Sequence, residues 1–445
     1  MTTAAFAPRL VRALGRWDLV ALVINGVLGA GIFGLPSKVH ALLGAWGIVA
    51  IVVCALLMGV IVACFAEVSS RFRETGGPYL YAAEAFGPTT GFLIGWLLWL
   101  SRITGICAVT GIMVGYVAYA VPSVTGGAPH AALVIAVYAG LSLLHISGVK
   151  RAANFGNVLT VLKVAPLLLL VGVGAFRFTP TRFDFTVIPS NHAFSNGVLL
   201  LAFTFVGWES ALVAAGELRD PQRDTPFAIT IGLALVALLY VAIQLVCVDA
   251  LPSLGTSTRP LADAARVTLG PVGATIIVVG AVVSMLGTLN GGVLTVSRLT
   301  FAMADAGQLP RSLAAVHPRF QTPVASIALA AVMSVVLTLS STFVYLLTVS
   351  TIARLLVFAV CCVALPVLRR RETGLPAMVR IPGGVVVPAL ALGLIAWLLL
   401  GSSWRETRDV AIAVAGGALL LAIARASNSD HRPSAPALDP PADPT

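Results

Sequence analysis

The sequence predicts an all-α integral membrane protein with about twelve spanning helices, and three observations carry that reading. Hydrophobic residues make up 58% of the 445 and charged residues only 10%, against about 25% charged in a soluble domain. The apolar residues gather in runs of about 20, the length that crosses a ~30 Å hydrocarbon core. The lysines and arginines collect in loops on one side. A soluble enzyme with a single anchor is excluded by the number of runs. The net charge of +10 would suggest nucleic acid in a soluble protein, but cations placed in membrane loops give no reason to expect that partner.

In chain order, residues 1–18 form a cytoplasmic N-terminus carrying Arg9, Arg12 and Arg16. No small-residue cleavage site follows a short apolar core there, so a cleavable signal peptide is not expected. Spans then fall near 19–39, 44–68, 91–121, 131–147, 156–176, 195–216, 228–249, 270–297, 324–340, 343–366, 385–402 and 409–425. Residues 427–445, rich in Pro, Ala, Ser and Asp, bury no core and are expected to be disordered in the cytoplasm. With the N-terminus inside, the inner loops hold Arg71, Lys150, Arg151, Arg219, Arg298, Arg369, Arg370 and Arg371, among others. The outer loops hold only Lys38, Arg177, Arg182, Arg259, Arg266, Arg405 and Arg408. An even span count then puts both termini in the cytoplasm. The six cysteines all fall inside apolar runs without metal-site spacing and read as buried small hydrophobes.

The first span is broken by composition. Four glycines crowd Asn25-Gly26-Val27-Leu28-Gly29-Ala30-Gly31-Ile32-Phe33-Gly34, and each costs a helix interior about 0.8–1 kcal/mol relative to Ala. Backbone amides freed in a membrane must face protein, water or a ligand. The literal G-x-G-x-x-G at Gly29–Gly34 is not a dinucleotide loop. That motif needs a preceding strand and an acidic residue about 20 positions on, where this chain has Val49-Ala50-Ile51-Val52. The sixth span is broken in the same way, with Phe203-Thr204-Phe205-Val206-Gly207-Trp208-Glu209-Ser210 in its middle. One such break is as well explained by close helix packing. A matched pair, at corresponding positions of two five-span halves (19–176 and 195–366), points to an inverted-repeat transporter with its site between the breaks.

Ionisable groups at membrane depth are costly and face a cavity or a partner. Arg102, Lys163 and Arg354 are the cations so placed, and Glu209 is the clearest anion. Arg102 would meet a substrate carboxylate or pair with Glu209, while Arg354 suits a structural pair. Three cations against one anion disfavour arginine, lysine or polyamines as cargo. His145 reads as a packed, hydrogen-bonded residue with no assigned role.

These residues together carry a family resemblance. Gly29-Ala30-Gly31-Ile32-Phe33 resembles the first-helix signature of the amino acid–polyamine–organocation superfamily of transporters. Phe65-Ala66-Glu67-Val68-Ser69-Ser70-Arg71 with Thr75-Gly76-Gly77-Pro78-Tyr79 resembles its second helix and inner loop. Phe205-Val206-Gly207-Trp208-Glu209-Ser210 with Gly216-Glu217 and Asp220-Pro221-Gln222-Arg223 resembles its sixth helix and exit. Leu286–Gly291 running to Arg298, and Thr351-Ile352-Ala353-Arg354-Leu355, resemble the eighth and tenth. The resemblance implies a LeuT-like fold of five plus five inverted-repeat helices, with two more at 385–425.

It also implies roles for the breaks. The amino acid α-carboxylate is expected on the amides of Ala30, Gly31 and Ile32, where a half-helix N-terminus offers N–H donors and partial positive charge. The α-ammonium is expected on carbonyls freed at Val27, Phe203, Thr204 and Phe205, with Gly207 beside them. Phe203 matches the aromatic that caps bound substrate. Several relatives carry an aromatic where this chain has Gly292, which either enlarges the side-chain pocket or packs a helix. Lys163 resembles the lysine that stands in sodium-independent members where relatives bind sodium. It would bridge the fifth helix to the first, and a buried ammonium leaves a proton-coupled role physically open. The alternative is a lysine snorkelling to the inner interface.

The expectation is therefore a multi-pass permease of the cell membrane, sodium-independent, working by alternating access as a proton symporter or an exchanger. Neutral amino acids are favoured, with acidic ones or other carboxylates as the alternative. No cofactor or metal is expected. A membrane enzyme is the rival class, without a nucleophile–base constellation in the spans to support it. A channel is the second rival, against which the paired breaks argue for an occluded substrate.

Overall fold

The computed structural model describes residues 16–72, 77–147, 149–179, 183–209, 212, 220–305, 307–320, 322–371 and 376–429. Residues 1–15, the tail from 430, and Thr75, Gly76, Ser210, Gly216 and Glu217 of the sequence motifs lie outside the described residues. Every regular element among those described is helical, with fourteen α-helices joined by short 3-10 turns.

The first apolar run makes two helices, α1 (Arg16–Val27) and α2 (Gly31–Leu43), bent by 47° across Leu28–Ala30. Gly44 ends α2 at φ +56°, and α3 (Trp46–Ser69) follows as an uninterrupted apolar span. A short helix α4 (Pro78–Phe86) turns into α5 (Pro88–Val117) through Gly87, whose φ of +93° suits a residue without a side chain. Helices α6 (Gly127–Ile146) and α7 (Val149–Phe176) follow.

The sixth run holds α8 (Asn191–Ala202), capped by the Ser190 hydroxyl, then a 3-10 turn at Phe203–Phe205. Val206 and Gly207 leave the helix, Gly207 at φ +117°. Helix α9 (Pro221–Ala250) is followed by a turn at Leu254–Thr256. Helix α10 (Pro260–Asp305) is broken at Gly270, φ +77°, before Pro271. Helices α11 (Val324–Ser340), α12 (Phe343–Arg371), α13 (Val386–Leu400) and α14 (Trp404–Ser429) close the chain.

Among the described residues, six helices are long and apolar enough to cross a membrane, and up to eight if the bent pairs α1–α2 and α13–α14 each count as one span. The expected runs thus differ from the helices in particular places. The run at 19–39 is two helices, because Gly29 and Gly31 flank a stretch that cannot hold helical hydrogen bonds cheaply. The run at 195–216 leaves the helix at Ala202. The run expected from 270 starts at the Gly270 break, with a further helical stretch before it. Helix α14 runs to Ser429, so the first residues of the segment expected to be disordered are helical.

Helix α1 lies on α9, and α3 on α8 and α9; α5 lies on α10 and α12, and α11 on α5 and α6, while α12 also packs on α3 and α7 on both α9 and α10. All six cysteines are free and buried in these contacts.

Candidate functional site

The two breaks meet backbone to backbone. A β-carbon on Gly26 would lie 2.6 Å from the Gly207 carbonyl oxygen, and one on Gly31 would lie 2.7 Å from the Thr204 methyl group. A β-carbon on Gly207 would collide with Gly26 in turn. The glycines of the first break are therefore there for close approach as well as for freedom. Tyr240 of α9 ties the breaks from behind, its hydroxyl 2.9 Å from the carbonyl oxygens of both Val27 and Thr204. A carbonyl released by a helix break in an apolar interior takes a protein donor, and α9 supplies one.

A cavity of about 350 Å³ opens between the breaks, α5, α7, α10 and α12. Val27, Ala30, Gly31, Phe203, Thr204, Gly207, Gly292, Arg102 and Lys163 line it, and so does Arg354. Ile32 and Phe205 do not; the Phe205 ring packs edge-on against Tyr240 with centroids 5.2 Å apart. Helix α2 starts beside the cavity with Ala30 as its N-cap and no side-chain cap, and the Phe33 amide already donates to the Ala30 carbonyl, so the Gly31 and Ile32 amides ahead of it are the donors with no carbonyl to meet within the helix. Gly292 lines the cavity and also abuts Ile106, into which a β-carbon would run. The Phe203 ring comes close to Gly105 of α5.

Lys163 turns inward rather than snorkelling. Its ammonium lies 2.5 Å from the Asn25 carbonyl oxygen and 3.1 Å from that of Leu28, which also accepts from the Ser284 hydroxyl at 3.4 Å. Three helices, α7, α1 and α10, are joined at the first break by this group.

Arg102, Glu209 and Arg354 form one buried cluster. One Glu209 oxygen accepts from Arg354 and, at 3.2 Å, from Arg102; the other accepts from the Gly207 amide at 2.8 Å. Arg354 also donates to the Ser101 hydroxyl at 2.9 Å, and Ser101 and Ser350 exchange hydroxyl-to-carbonyl bonds of 2.8 and 2.6 Å. Arg102 remains 20% exposed toward the cavity, whereas Arg354 and Glu209 are 3% exposed. Sequence reasoning named all three charges but not Ser101, Ser350 or Tyr240. His145 is packed, its Nε2 3.0 Å from the Asn290 carbonyl oxygen.

A second acid is held at the far end of α3. Both Glu67 oxygens meet Arg369, at 2.7 and 2.5 Å, one accepts from the Ile381 amide at 2.8 Å, and Arg71 stands 3.4 Å away. Opposite, the Leu254–Thr256 turn rests on α2 at Ala41, and Tyr116 donates to the Phe33 carbonyl at 2.7 Å.

A helical chain with several membrane-crossing helices and a central cavity framed by two helix breaks has the build of a membrane carrier, not of an enzyme. Comparison with known proteins gives the family. A family model described as amino acid permease matches residues 14–417, and the chain belongs to that family, within the amino acid–polyamine–organocation superfamily. It is a multi-pass membrane protein and a secondary transporter.

Among relatives, the methylthioribose transporter of Bacillus subtilis is 30% identical over 422 residues, covering 89% of this chain and 90% of the relative. The serine/threonine exchanger of the same organism is 28% identical (88% and 91% covered), and its branched-chain amino acid permease 27% (89% of each).

Proposed function

We propose that the chain is a sodium-independent amino acid carrier of the cell membrane, working by alternating access as an exchanger or a proton symporter. It would have twelve membrane passages, both termini cytoplasmic, with inverted repeats at 19–176 and 195–366 followed by 385–425. The observation that carries this is the open N-terminus of α2 facing the cavity across from the carbonyls of the second break. The α-carboxylate would sit on the amides of Ala30, Gly31 and Ile32. The α-ammonium, expected on the carbonyls of Val27, Phe203, Thr204 and Phe205, would use the lone pairs left at Phe203 and Thr204. The Val27 oxygen already accepts from the Gly29 amide and from Tyr240, and Phe205 does not line the cavity. Phe203 would close over the cargo, and Lys163 would do with its own charge what a bound sodium ion does elsewhere.

The cavity runs along α1 to Leu22 and along α10 to Leu294 and Thr295. In the proposed orientation that is the cytoplasmic direction, so the form described would face inward. The serine/threonine exchanger and the branched-chain permease among the relatives favour neutral cargo. The methylthioribose transporter indicates that cargo varies across relatives of this similarity.

A second reading, acidic amino acids, is favoured by one observation: two guanidinium groups share a single carboxylate, and Arg102 faces the cavity. Uptake of labelled alanine, leucine, threonine and glutamate into proteoliposomes tests both readings, with and without a pH gradient or internal amino acid. Saturable uptake that survives replacement of sodium by choline supports the carrier; no response to any amino acid would sink it. Arg102→Ala should abolish glutamate uptake selectively if the acidic reading holds.

A further inference from the structure

We infer that Arg102 holds a small inorganic anion, chloride or another halide, in the cavity beside a neutral amino acid. The inference rests on the amino acid reading above, with neutral cargo. Among the described residues that line the cavity, three are cations, Arg102, Lys163 and Arg354, and none is an acid. The carboxylate that the two arginines meet, Glu209, has both oxygens engaged. One accepts from Arg354 and, at 3.2 Å, from Arg102; the other accepts from the Gly207 amide at 2.8 Å. Two guanidinium groups against one carboxylate leave the cluster with one positive charge in excess. A zwitterionic cargo is neutral as a whole and does not remove that excess.

The excess is open to the cavity at one group. Arg354 is 3% exposed, with its Nε engaged by the Ser101 hydroxyl at 2.9 Å. Lys163 is 2% exposed and lies against the Asn25 and Leu28 carbonyl oxygens. Arg102 keeps a side chain 20% exposed, and its bond to Glu209 uses one nitrogen of a group with five N–H donors. Gly105 follows three residues on, on the same helix face, and lines the cavity with it. A β-carbon there would lie 3.1 Å from Ser350 Oγ and 3.7 Å from the Phe203 ring, so the wall beside the guanidinium is bare. The neighbouring hydroxyls offer an anion no proton, because Ser101 and Ser350 each donate to the other's carbonyl. An unbalanced charge at membrane depth draws a counter-charge. A guanidinium is weakly hydrated and donates charge-assisted N–H bonds, and a halide is an acceptor small enough to share a cavity of about 350 Å³ with cargo. The α2 amides that the cargo carboxylate would take belong to the first break, whereas Arg102 reaches the cavity from α5, so the two anionic groups have separate walls.

The test measures uptake of labelled L-alanine into proteoliposomes at constant ionic strength, with chloride on both sides replaced by the much larger gluconate. Without chloride the apparent KM for alanine should rise by about tenfold, and it should recover saturably as chloride or bromide is restored. Arg102→Gln leaves Glu209 and Arg354 as a balanced pair, and its uptake should no longer respond to chloride. A second readout needs no cargo. The thermal unfolding temperature of the purified wild type in detergent should rise saturably with chloride at constant ionic strength, and that of Arg102→Gln should not. If Arg102→Gln does not assemble, Arg102→Lys keeps the charge but not the planar donor group, and should need more chloride for half the effect; an unshifted requirement then overturns the inference. Identical alanine uptake and unfolding temperature in chloride and gluconate overturn it too, as does a chloride response that survives Arg102→Gln. Glutamate uptake that needs Arg102 while chloride has no effect would show that the cargo's own carboxylate takes this place, and would refute the halide. A wild type that chloride stabilises through Arg102 but no amino acid drives would instead refute the carrier reading and support the anion subsite.

Discussion

Lys163 and Asn25 are joined across two helices at the point where the first membrane helix breaks, the ammonium 2.5 Å from the backbone oxygen. With the second bond to Leu28, a fixed charge on α7 holds the end of α1 in place. Hydrogen bonds to a charged group contribute about 1.5–3 kcal/mol each. Lys163→Ala is therefore expected to slow uptake by at least about tenfold, one such bond, while wild-type uptake is unaffected by replacing sodium. A variant with unchanged rate and pH profile would remove Lys163 from the mechanism.

The Arg102–Glu209–Arg354 cluster should be fragile to loss of its single acid. Glu209→Gln leaves two guanidinium groups on a neutral acceptor, and removal of one partner from a buried pair costs about 3–5 kcal/mol. A lower thermal unfolding temperature in detergent is the expected readout. Adding Arg354→Met should cost less than the sum of the two single changes, because the second substitution removes a charge the first left unpaired.

Gly31→Ala places a methyl group 2.7 Å from the Thr204 methyl. Overpacking of this kind costs about 1–3 kcal/mol, and here it would push the two breaks apart. Uptake is expected to fall, and Thr204→Ser, which deletes the opposing methyl, should restore part of it. Failure of any rescue would show that contact with the Thr204 backbone, at 3.1 Å, governs the spacing.

At the far end of α3, Glu67 is fully buried while Arg369 is 22% exposed. Arg369→Ala leaves the acid with Arg71 and the Ile381 amide. The expected loss is about 3 kcal/mol, the low end for breaking a buried pair, because Arg369 keeps some solvent. Hydrogen exchange should rise in residues 376–385, which that acid holds down through Ile381.

The cluster at Glu67 and the tie at Tyr240 show why part of the site was illegible in the sequence. Tyr240 is one aromatic in an apolar run, Ala237-Leu238-Leu239-Tyr240-Val241-Ala242, and nothing local marks its hydroxyl as different. Ser101 with Ser350, and Glu67 with Arg369, pair across separations of 249 and 302 residues. Small polar residues in spans are ordinary, and their partners appear only when distant helices are brought together.

What the sequence determined by itself was the solvent, the breaks and the charges. Runs of about 20 apolar residues admit a bilayer because only hydrogen-bonded helices survive there. Glycine clusters mark the breaks because helix propensity is local, and Lys163, Arg102, Arg354 and Glu209 stand out because charge at that depth is rare. What only the tertiary structure decided was which charges meet and which carbonyls are spoken for. Glu209 takes both arginines, Lys163 takes Asn25 and Leu28, and Tyr240 takes Val27 and Thr204. Hydrogen bonds act over about 3 Å, so their partners are fixed by helix packing rather than by neighbours in the chain.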